Sequence, residues 1–525
     1  MIDPAAMSRR PILLSALFAT LLLVLCGGLA IWVLSDSGIR AGFILPEAAE
    51  IIDQTYQEKV DWHKAIESAQ TAIYGRLDRY SEYLESKDFQ DLAEEMTGAY
   101  HGIGVSVIEH DNGLLIMSVR EGGPAADVGL MSGDIIVRVD SISLAGRDLF
   151  RASDLLRGPE GSRVKLTIIR PTSHDTLTVE PTREKIDYQH VSFAGYTKDS
   201  VIYIRLLDFE AGSSDELASA LDTLLNKPGY TPKGVILDLK GNPGGLFSEA
   251  YSTSSLFLEK GKFIVGTTSR SRWNEEKQYS DGEDVTNGLP MVVIVDRGSA
   301  SAAEIVAGSL HQLGRAKLVG DTTFGKGLVQ GYSRFPDGNG GKLTISRYYL
   351  AGNLYLNRLD TSLSDTGKGL VPDYQLAFPE NEPFIQALES SLLLMQFAQL
   401  HQDDIIAGPP PLGPDTSWAE QFAIYATHNK FSYKSDETEQ AGQLMATAKA
   451  ERASPRTIAA LDSLESACRR LDHSEFFQNR AYITMRLKQL AIERKYGTYR
   501  SYAEAVVDAR PDIRFADSLI RAERP

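Results

Sequence analysis

Residues 291–310 read MVVIVDRGSASAAEIVAGSL, which is an apolar run, a short polar turn and a stretch of small and apolar residues. The run Met291–Val295 has the length and β-branched composition of a strand that is buried on both faces. From Ser301 to Leu310 every residue except Glu304 is small or apolar, which is typical of a buried helix. This order of strand, turn and helix predicts an α/β domain.

The same alternation extends over residues 187–380, where strands are predicted at Val201–Leu206 and Val235–Leu239 and a helix at Ser214–Leu225. Residues 99–183 instead show short alternating strands separated by glycine-rich turns, which predict a small β domain. The strands are expected at Ile103–Ile108, Leu114–Val119, Ile135–Val139 and Val164–Ile169. Apolar residues at helical spacing predict helical regions on either side, at 35–98 and 381–525.

The whole chain has 525 residues, with 43% hydrophobic and 24% charged residues, so it has ordinary globular composition and room for several domains. Its 54 basic and 70 acidic residues give a net charge of −16, which disfavours nucleic acid as a partner. The two cysteines, Cys26 and Cys468, are not expected to pair, and no Cys/His group has metal-ligand spacing. We therefore expect no metal and no cofactor.

One segment near the N-terminus has a different character. Ile12–Leu34 contains no charged residue over 23 positions, enough for a helix to cross a bilayer, and Arg9 and Arg10 precede it. The positive-inside rule then predicts a cytoplasmic segment 1–10, a transmembrane signal anchor at 11–34 and export of the remainder. The alternative is a signal peptide that is cleaved after Ala30.

Two turns of the α/β region have the composition of a reaction site. The segment 238–245, DLKGNPGG, follows an apolar strand and presents backbone N–H groups that can stabilise an oxyanion. Ser299 and Ser301 lie where the chain enters the predicted helix 301–310, and a helix N-terminus favours negative charge. Either serine is a candidate nucleophile, and the alternative for both is an N-cap.

Lys326 is a candidate for the general base that such a serine needs. It lies among Phe324, Gly325, Gly327 and Leu328, and burial there would lower the pKa of its amine and let it accept a proton from a serine hydroxyl. Gln330 is four residues further on, so we expect it on the same side of a strand, orienting that amine. The alternative for Lys326 is an ordinary surface lysine.

Three blocks of the small β domain resemble a PDZ domain, namely Gly102-Ile103-Gly104-Val105, Gly123-Pro124-Ala125-Ala126 and residues 129–136, GLMSGDII. In such a domain a glycine-flexed loop and an edge strand hold the terminal carboxylate of a peptide. The resemblance therefore implies that residues 102–105 bind the C-terminal end of a polypeptide.

With these blocks, residues 238–245, 299–304 and 323–330 resemble the C-terminal processing peptidases, or tail-specific proteases, of serine peptidase family S41. The resemblance implies a multidomain α+β protein with a membrane-anchoring helix, a PDZ domain, a ClpP/crotonase-like peptidase core and a helical C-terminal region. It also implies roles for individual residues: Ser301 as nucleophile, Lys326 as general base, Gln330 as its support, and backbone amides of Ala302 and of Gly244 or Gly245 as the oxyanion hole.

The expected function is a membrane-anchored serine endopeptidase that cleaves exported polypeptides near their C-termini, with the PDZ domain either delivering substrate or gating the site. It would sit in the inner or cytoplasmic membrane with its catalytic part periplasmic or extracytoplasmic. One alternative base is a histidine, although His311 lies about 15 Å along the helix from Ser301, and His190 would need a tertiary contact. Another alternative is a catalytically silent PDZ scaffold, and self-association into a homo-oligomer through the helical ends is open.

Overall fold

The computed structural model describes residues 37–522 apart from 97–98, 148, 172, 174, 271–274, 357–368, 377–381 and 409–416. The chain divides into two compact units, residues 1–83 and residues 84–525. The predicted cytoplasmic segment 1–10 and membrane segment 11–34 lie outside the described residues. Within the described ranges, no helix has both the length and the apolar character that crossing a bilayer requires.

The described part of the first unit is mainly helical. Helix α1 spans Ser37–Thr55 and helix α2 spans Trp62–Tyr74, followed by a short strand β1 at Glu82–Leu84 where the two units meet in sequence. Asp61 is the N-cap of helix α2, and its carboxylate accepts a hydrogen bond from the Lys64 N–H. The predicted helical region 35–98 thus also contains a strand, which apolar spacing did not reveal because only three residues form it.

The second unit begins with helix α3 (Ser86–Met96) and a small β domain. The strands of this domain are β2 (Ala99–Gly102), β3 (Val105–His110), β4 (Gly113–Val119), β5 (Ile135–Val139), β6 (Ile142–Ser143), β7 (Leu166–Arg170), β8 (Asp175–Val179) and β9 (Glu184–Asp187), and its helices are α4 (Pro124–Asp127) and α5 (Leu149–Asp154). The main sheet has the order β3-β4-β5-β7-β8, so β3 is an edge strand. The first predicted strand begins two residues late, because Gly104 turns the chain with φ +75°.

A six-stranded sheet forms the centre of the second unit, in the order β10-β11-β12-β15-β16-β19. Its strands are β10 (Val191–Tyr196), β11 (Ile202–Leu206), β12 (Val235–Asp238), β15 (Met291–Val295), β16 (Lys317–Gly320) and β19 (Tyr374–Gln375). All neighbouring pairs are parallel except β10 and β11. Every residue of β12 and β15 is buried, as their continuous apolar sequences predict.

Helices cover both faces of this sheet. On one face lie α6 (Ser213–Leu225), α7 (Phe247–Ser255) and α8 (Ala302–Gln312), which pack against alternate strand residues such as Val235 and Val293. A second, antiparallel sheet contains β13 (Phe263–Thr268), β14 (Lys277–Tyr279), β17 (Leu328–Arg334) and β18 (Gly340–Tyr349). Strand β17 of this sheet begins two residues after Lys326. The backbone N–H of Lys326 donates to Glu304, which lies in the first turn of α8.

The C-terminal region is helical, with α9 (Glu382–Ser390), α10 (Leu393–Leu400), α11 (Gln402–Ala407), α12 (Trp418–His428), α13 (Asp436–Ala450), α14 (Pro455–Gln478), α15 (Arg480–Tyr496), α16 (Thr498–Ser501), a π-helical turn (Tyr502–Val506) and α17 (Pro511–Ala522). Most of these helices share a core of their own that includes Phe384, Phe422 and Leu487. The last helix instead covers the other face of the central sheet, where Ile513 and Ile520 pack with Ile236 and Ile294. The sequence predicted a helical tail, but it did not predict that α17 packs against the central sheet.

Candidate active site

The glycine-rich turn after β12 and the turn after β15 lie side by side. Because β12 and β15 are adjacent parallel strands, their carboxyl ends meet at one edge of the sheet. The Ala300 N–H donates to the Asn242 carbonyl at 3.0 Å, which joins the two turns directly. A Cβ atom on Gly244 would lie 2.8 Å from the Ser301 Cβ, so only glycine allows this approach.

Ser301 occupies the first position before α8, in an unusual backbone conformation with φ 55° and ψ −115°. Such a conformation is strained for a residue with a side chain and is often found at reaction sites. Ser299 has a different environment, since it is fully buried and its hydroxyl donates to the Leu239 carbonyl at 2.8 Å. Of the two candidate serines, the geometry therefore favours Ser301 as the reactive one.

Glu304 connects the serine segment to the lysine segment, and the sequence reasoning missed this role. Its buried carboxylate accepts hydrogen bonds from the backbone N–H groups of Ser301 at 3.0 Å, Gly325 at 2.8 Å and Lys326 at 2.8 Å, and from the Thr323 hydroxyl. Burial raises the pKa of Glu304, and these four donors act in the opposite direction by favouring the carboxylate. The spacing Ser301-x-x-Glu304, a capping-box pattern, was the signal available in the sequence.

Lys326 is half-buried and precedes strand β17. The hydroxyl of the buried Tyr348 lies 2.6 Å from the Lys326 carbonyl and 3.2 Å from the Ser301 carbonyl, so it reaches both candidate catalytic residues. Gln330 lies within β17, beyond an irregularity in its pairing at Val329. The expectation that one regular strand aligns Lys326 with Gln330 was wrong, because the strand begins only at Leu328.

A small pocket nevertheless brings the predicted catalytic residues together. It has a volume of about 170 Å³, and its lining includes Ser301, Ala302, Lys326, Gln330 and Gly245. The Gln330 side-chain amide donates to the Thr344 hydroxyl at 3.3 Å, which fixes the orientation of Gln330 on the pocket wall.

The glycine-rich turn has two candidate oxyanion donors, which the sequence did not distinguish. The N–H of Gly244 donates to the Asn242 side-chain oxygen at 2.9 Å, within the turn. Gly245 is the one that lines the pocket with Ser301. This arrangement favours the Gly245 amide as the partner of the Ala302 amide.

The two alternative histidine bases have other partners. The His311 Nε2 lies 3.0 Å from Asp373, and the His190 Nδ1 lies 2.6 Å from Asp208. Among the described residues that line the pocket of Ser301, neither histidine is present. No group of three or more His, Cys, Asp or Glu side chains in the described part of the chain is arranged to hold a metal ion.

The predicted tail-binding loop lines a larger cavity, of about 980 Å³. Gly102, Ile103, Gly104 and Val105 lie along it with the start of edge strand β3, and Tyr100 and Arg157 line it as well. Residues of β10 and Tyr499 of the C-terminal region contribute to the same cavity. The loop thus opens onto a groove between the small β domain and the α/β core.

In fold and pocket the chain resembles the class of serine hydrolases that place a serine at a helix N-terminus beside a glycine-rich turn. Family models narrow the class: that of peptidase family S41 matches residues 200–374 and that of the PDZ domain matches residues 102–180. The chain belongs to peptidase family S41 and is a serine peptidase with a PDZ domain, of the C-terminal processing type.

Two curated relatives are named as carboxy-terminal processing proteases. The carboxy-terminal processing protease CtpA of Bacillus subtilis (strain 168) is 33% identical, over 63% of this chain and 69% of that protein. A carboxy-terminal-processing protease of Bartonella bacilliformis is 32% identical, over 62% of this chain and 72% of that protein. Among solved structures, a photosystem II D1 C-terminal processing protease is 28% identical, with a TM-score of 0.35, over 63% of this chain and 91% of that chain.

Proposed function

We propose that Ser301 is the nucleophile of this peptidase and that Lys326 is its general base. The observation that carries this proposal is the small pocket in which both residues meet Ala302, Gly245 and Gln330. Supporting it, Glu304 binds the backbone N–H groups of both Ser301 and Lys326. A serine–lysine pair of this kind performs acyl transfer without a metal or cofactor.

In the first half of the reaction, the neutral amine of Lys326 takes the proton of the Ser301 hydroxyl while the oxygen attacks the scissile carbonyl carbon. The negative charge moves to the carbonyl oxygen, which accepts hydrogen bonds from the amides of Ala302 and Gly245. The ammonium of Lys326 then gives its proton to the leaving nitrogen as the C–N bond breaks. The products are a free amine and an ester on Ser301.

In the second half, Lys326 takes a proton from water, and the resulting hydroxide attacks the ester carbonyl. The same two amides hold the oxyanion. The ester bond breaks, and the proton returns from Lys326 to the Ser301 oxygen. The second product is a new C-terminal carboxylic acid, which releases its proton to water to become the carboxylate, and the enzyme is restored.

The substrate in this proposal is a polypeptide whose free C-terminal end, with an apolar last residue, binds the PDZ groove. Two features support this: the exposed edge of β3 can pair with an extended peptide, and Gly104 bends the loop beside it with φ +75°. A fluorescent peptide with a free apolar C-terminus tests it by anisotropy in the Ser301→Ala background. Gly104→Ala should weaken binding about tenfold. Gly129→Ala is the matched control, because Gly129 has φ +76° in the same domain and open space around it.

For location, we propose that residues 11–34 anchor the chain as a single pass in the inner or cytoplasmic membrane, with the catalytic part periplasmic or extracytoplasmic. The uncharged run after Arg9 and Arg10 supports this. Alkaline carbonate extraction of membranes should leave the full chain in the pellet and release a chain that starts at Ser37. Release of the full chain would contradict the anchor.

The catalytic assignment is tested on the full chain in detergent with a peptide that has a free or an amidated C-terminus, followed by mass spectrometry of the products. Ser301→Ala and Lys326→Ala should abolish cleavage, and amidation should reduce it strongly. Ser333→Ala and Lys277→Ala are controls, because both side chains are exposed. Retained cleavage in Ser301→Ala would overturn the assignment, and wild-type protein that binds the peptide without cleaving it would favour the silent-scaffold alternative.

A further inference from the structure

An arginine of the C-terminal segment, Arg510, contacts the residue that precedes the glycine-rich turn 239–245, where an oxyanion donor is proposed. The Arg510 Nη1 donates to the Asp238 Oδ2 at 2.8 Å, although 272 residues separate the two in the sequence. The Asp238 side chain is fully buried and that of Arg510 is 11% exposed. A buried ion pair of this kind holds its geometry because both charges need their partner.

Asp238 connects this arginine to the turn. It is the last residue of β12, and its second oxygen, Oδ1, accepts the backbone N–H of Lys240 at 2.9 Å. Lys240 opens the segment that leads through Asn242 to Gly245. One carboxylate thus joins the C-terminal segment to the turn that faces Ser301.

Arg510 stabilises the charged form of the Asp238 carboxylate more than the second neighbouring cation, Arg205, does. Burial alone would raise the pKa of Asp238, but the charges of Arg510 and then Arg205 outweigh it and lower the pKa. Arg205 is the more distant partner, at 3.7 Å. Tyr203 adds a hydroxyl hydrogen bond at 2.7 Å but no charge.

Arg510 is itself held in place from the C-terminal side. Its Nε donates to Asp512 at 3.0 Å, and Asp512 is buried at the start of α17. That helix is fixed to the central sheet through Ile513 and Ile520. The guanidinium therefore has a rigid support on one side and the Asp238 carboxylate on the other.

We propose that Arg510 is a positioning residue for catalysis: through Asp238 it fixes the turn 239–245, so the C-terminal segment completes the oxyanion site. This inference rests on the proposed role of Gly245 as an oxyanion donor. Because the substrate tail binds elsewhere, in the PDZ groove, the loss of Arg510 should change kcat and leave KM nearly unchanged.

The test compares Arg510→Met with Arg514→Met in the full chain, using an internally quenched peptide with a free apolar C-terminus. Arg514 lies four positions further along the chain, in α17, and its side chain is exposed, which makes it a control of the same residue type. We expect kcat of Arg510→Met to fall about 10- to 100-fold, because small displacements of catalytic groups cost factors of this size. KM and the anisotropy-measured peptide affinity should stay within threefold of wild type.

A double variant separates positioning from general stability. In an Asp238→Asn background, Arg510→Met should cost kcat much less than it does in wild type, because the coupling partner is gone. If Arg510→Met does not fold, Arg510→Gln replaces it, since glutamine keeps a hydrogen-bond donor and loses only the charge. Wild-type kcat in a folded Arg510→Met or Arg510→Gln, or equal losses in both backgrounds, would overturn the inference. Activity in Ser301→Ala would instead overturn the proposed function on which it rests.

Discussion

The Glu304 carboxylate accepts the backbone N–H of Lys326 at 2.8 Å, and the same oxygen accepts the N–H of Ser301 at 3.0 Å. Two segments that are 25 positions apart in the sequence are thereby held against one buried group. These hydrogen bonds hold the backbones of Ser301 and Lys326 at a fixed position relative to each other. We therefore expect Glu304 to act on the reaction through other residues, as a positioning residue.

Glu304→Gln tests this role. Glutamine has one acceptor oxygen where four donors converge, and its NH₂ group faces N–H groups, so we expect kcat to fall about 100-fold with a smaller change in KM. Leaving buried donors unpaired should also lower the free energy of unfolding by about 1–3 kcal/mol. Peptide cleavage and urea unfolding measure the two effects. Glu259→Gln, at an exposed position, is the control, and equal kcat in the two variants would contradict the role.

Gly244→Ala tests the close approach of the two turns. The added methyl group would lie 2.8 Å from the Ser301 Cβ and 2.9 Å from the Ala302 nitrogen, so we expect nearly complete loss of cleavage. Gly261→Ala provides the comparison, because Gly261 has φ +84° and nothing within 4 Å of the added atom. Both variants should lose about 1–2 kcal/mol of unfolding free energy from the positive φ. Gly244→Ala should lose more than this because of its close contacts, and it alone should lose activity.

The pair of His190 and Asp208 predicts a pH dependence of stability. Burial lowers the pKa of His190, but the hydrogen bond and charge of Asp208, with the charge of Glu216, outweigh it and raise the pKa above its usual 6.5. The folded protein therefore binds this proton more tightly than the unfolded chain. The resulting stabilisation is fully present below pH 6.5 and is lost as the pH rises through the raised pKa of His190.

Urea unfolding of wild type and His190→Asn at pH 6 and pH 9 checks this. The difference in unfolding free energy between the two proteins should be about 1–3 kcal/mol at pH 6, and smaller at pH 9. A difference that is equal at both pH values, or larger at pH 9, would show that the imidazolium does not contribute. Because His190 lies outside the pocket of Ser301, cleavage by folded His190→Asn should keep the wild-type pH profile, whereas a histidine base would remove its acid limb.

The local pattern of apolar and polar residues in the sequence predicted many of the strands and helices. Met291–Val295 and the helix that follows it were expected because a buried strand and a buried helix each leave a distinct run of residue types. The positions of individual side chains in three dimensions were harder to predict. The regular spacing between Lys326 and Gln330 indicated one strand, but the chain enters that strand only at Leu328.

Contacts with segments outside the resembling motifs could not be predicted. Tyr348 reaches the Ser301 carbonyl from 47 residues away, and Arg510 reaches Asp238 from 272 residues away. Residue spacing reports which side chains share a face of one helix or strand, whereas these contacts depend on where separate elements pack. Glu304 was visible as a charged residue in an apolar helix, but its partners at Gly325 and Lys326 were not.

The most direct test of the account is to label the full-length enzyme with a fluorophosphonate and to measure the rate and position of the adduct by intact-mass and peptide mass spectrometry. The serine oxygen displaces fluoride from phosphorus only when a base removes its proton, so the label reports both proposed roles. We predict a single adduct on Ser301, absent in Ser301→Ala and formed at least about 100-fold more slowly in Lys326→Ala. An adduct on another residue, or an unchanged rate in folded Lys326→Ala, would contradict the serine–lysine mechanism.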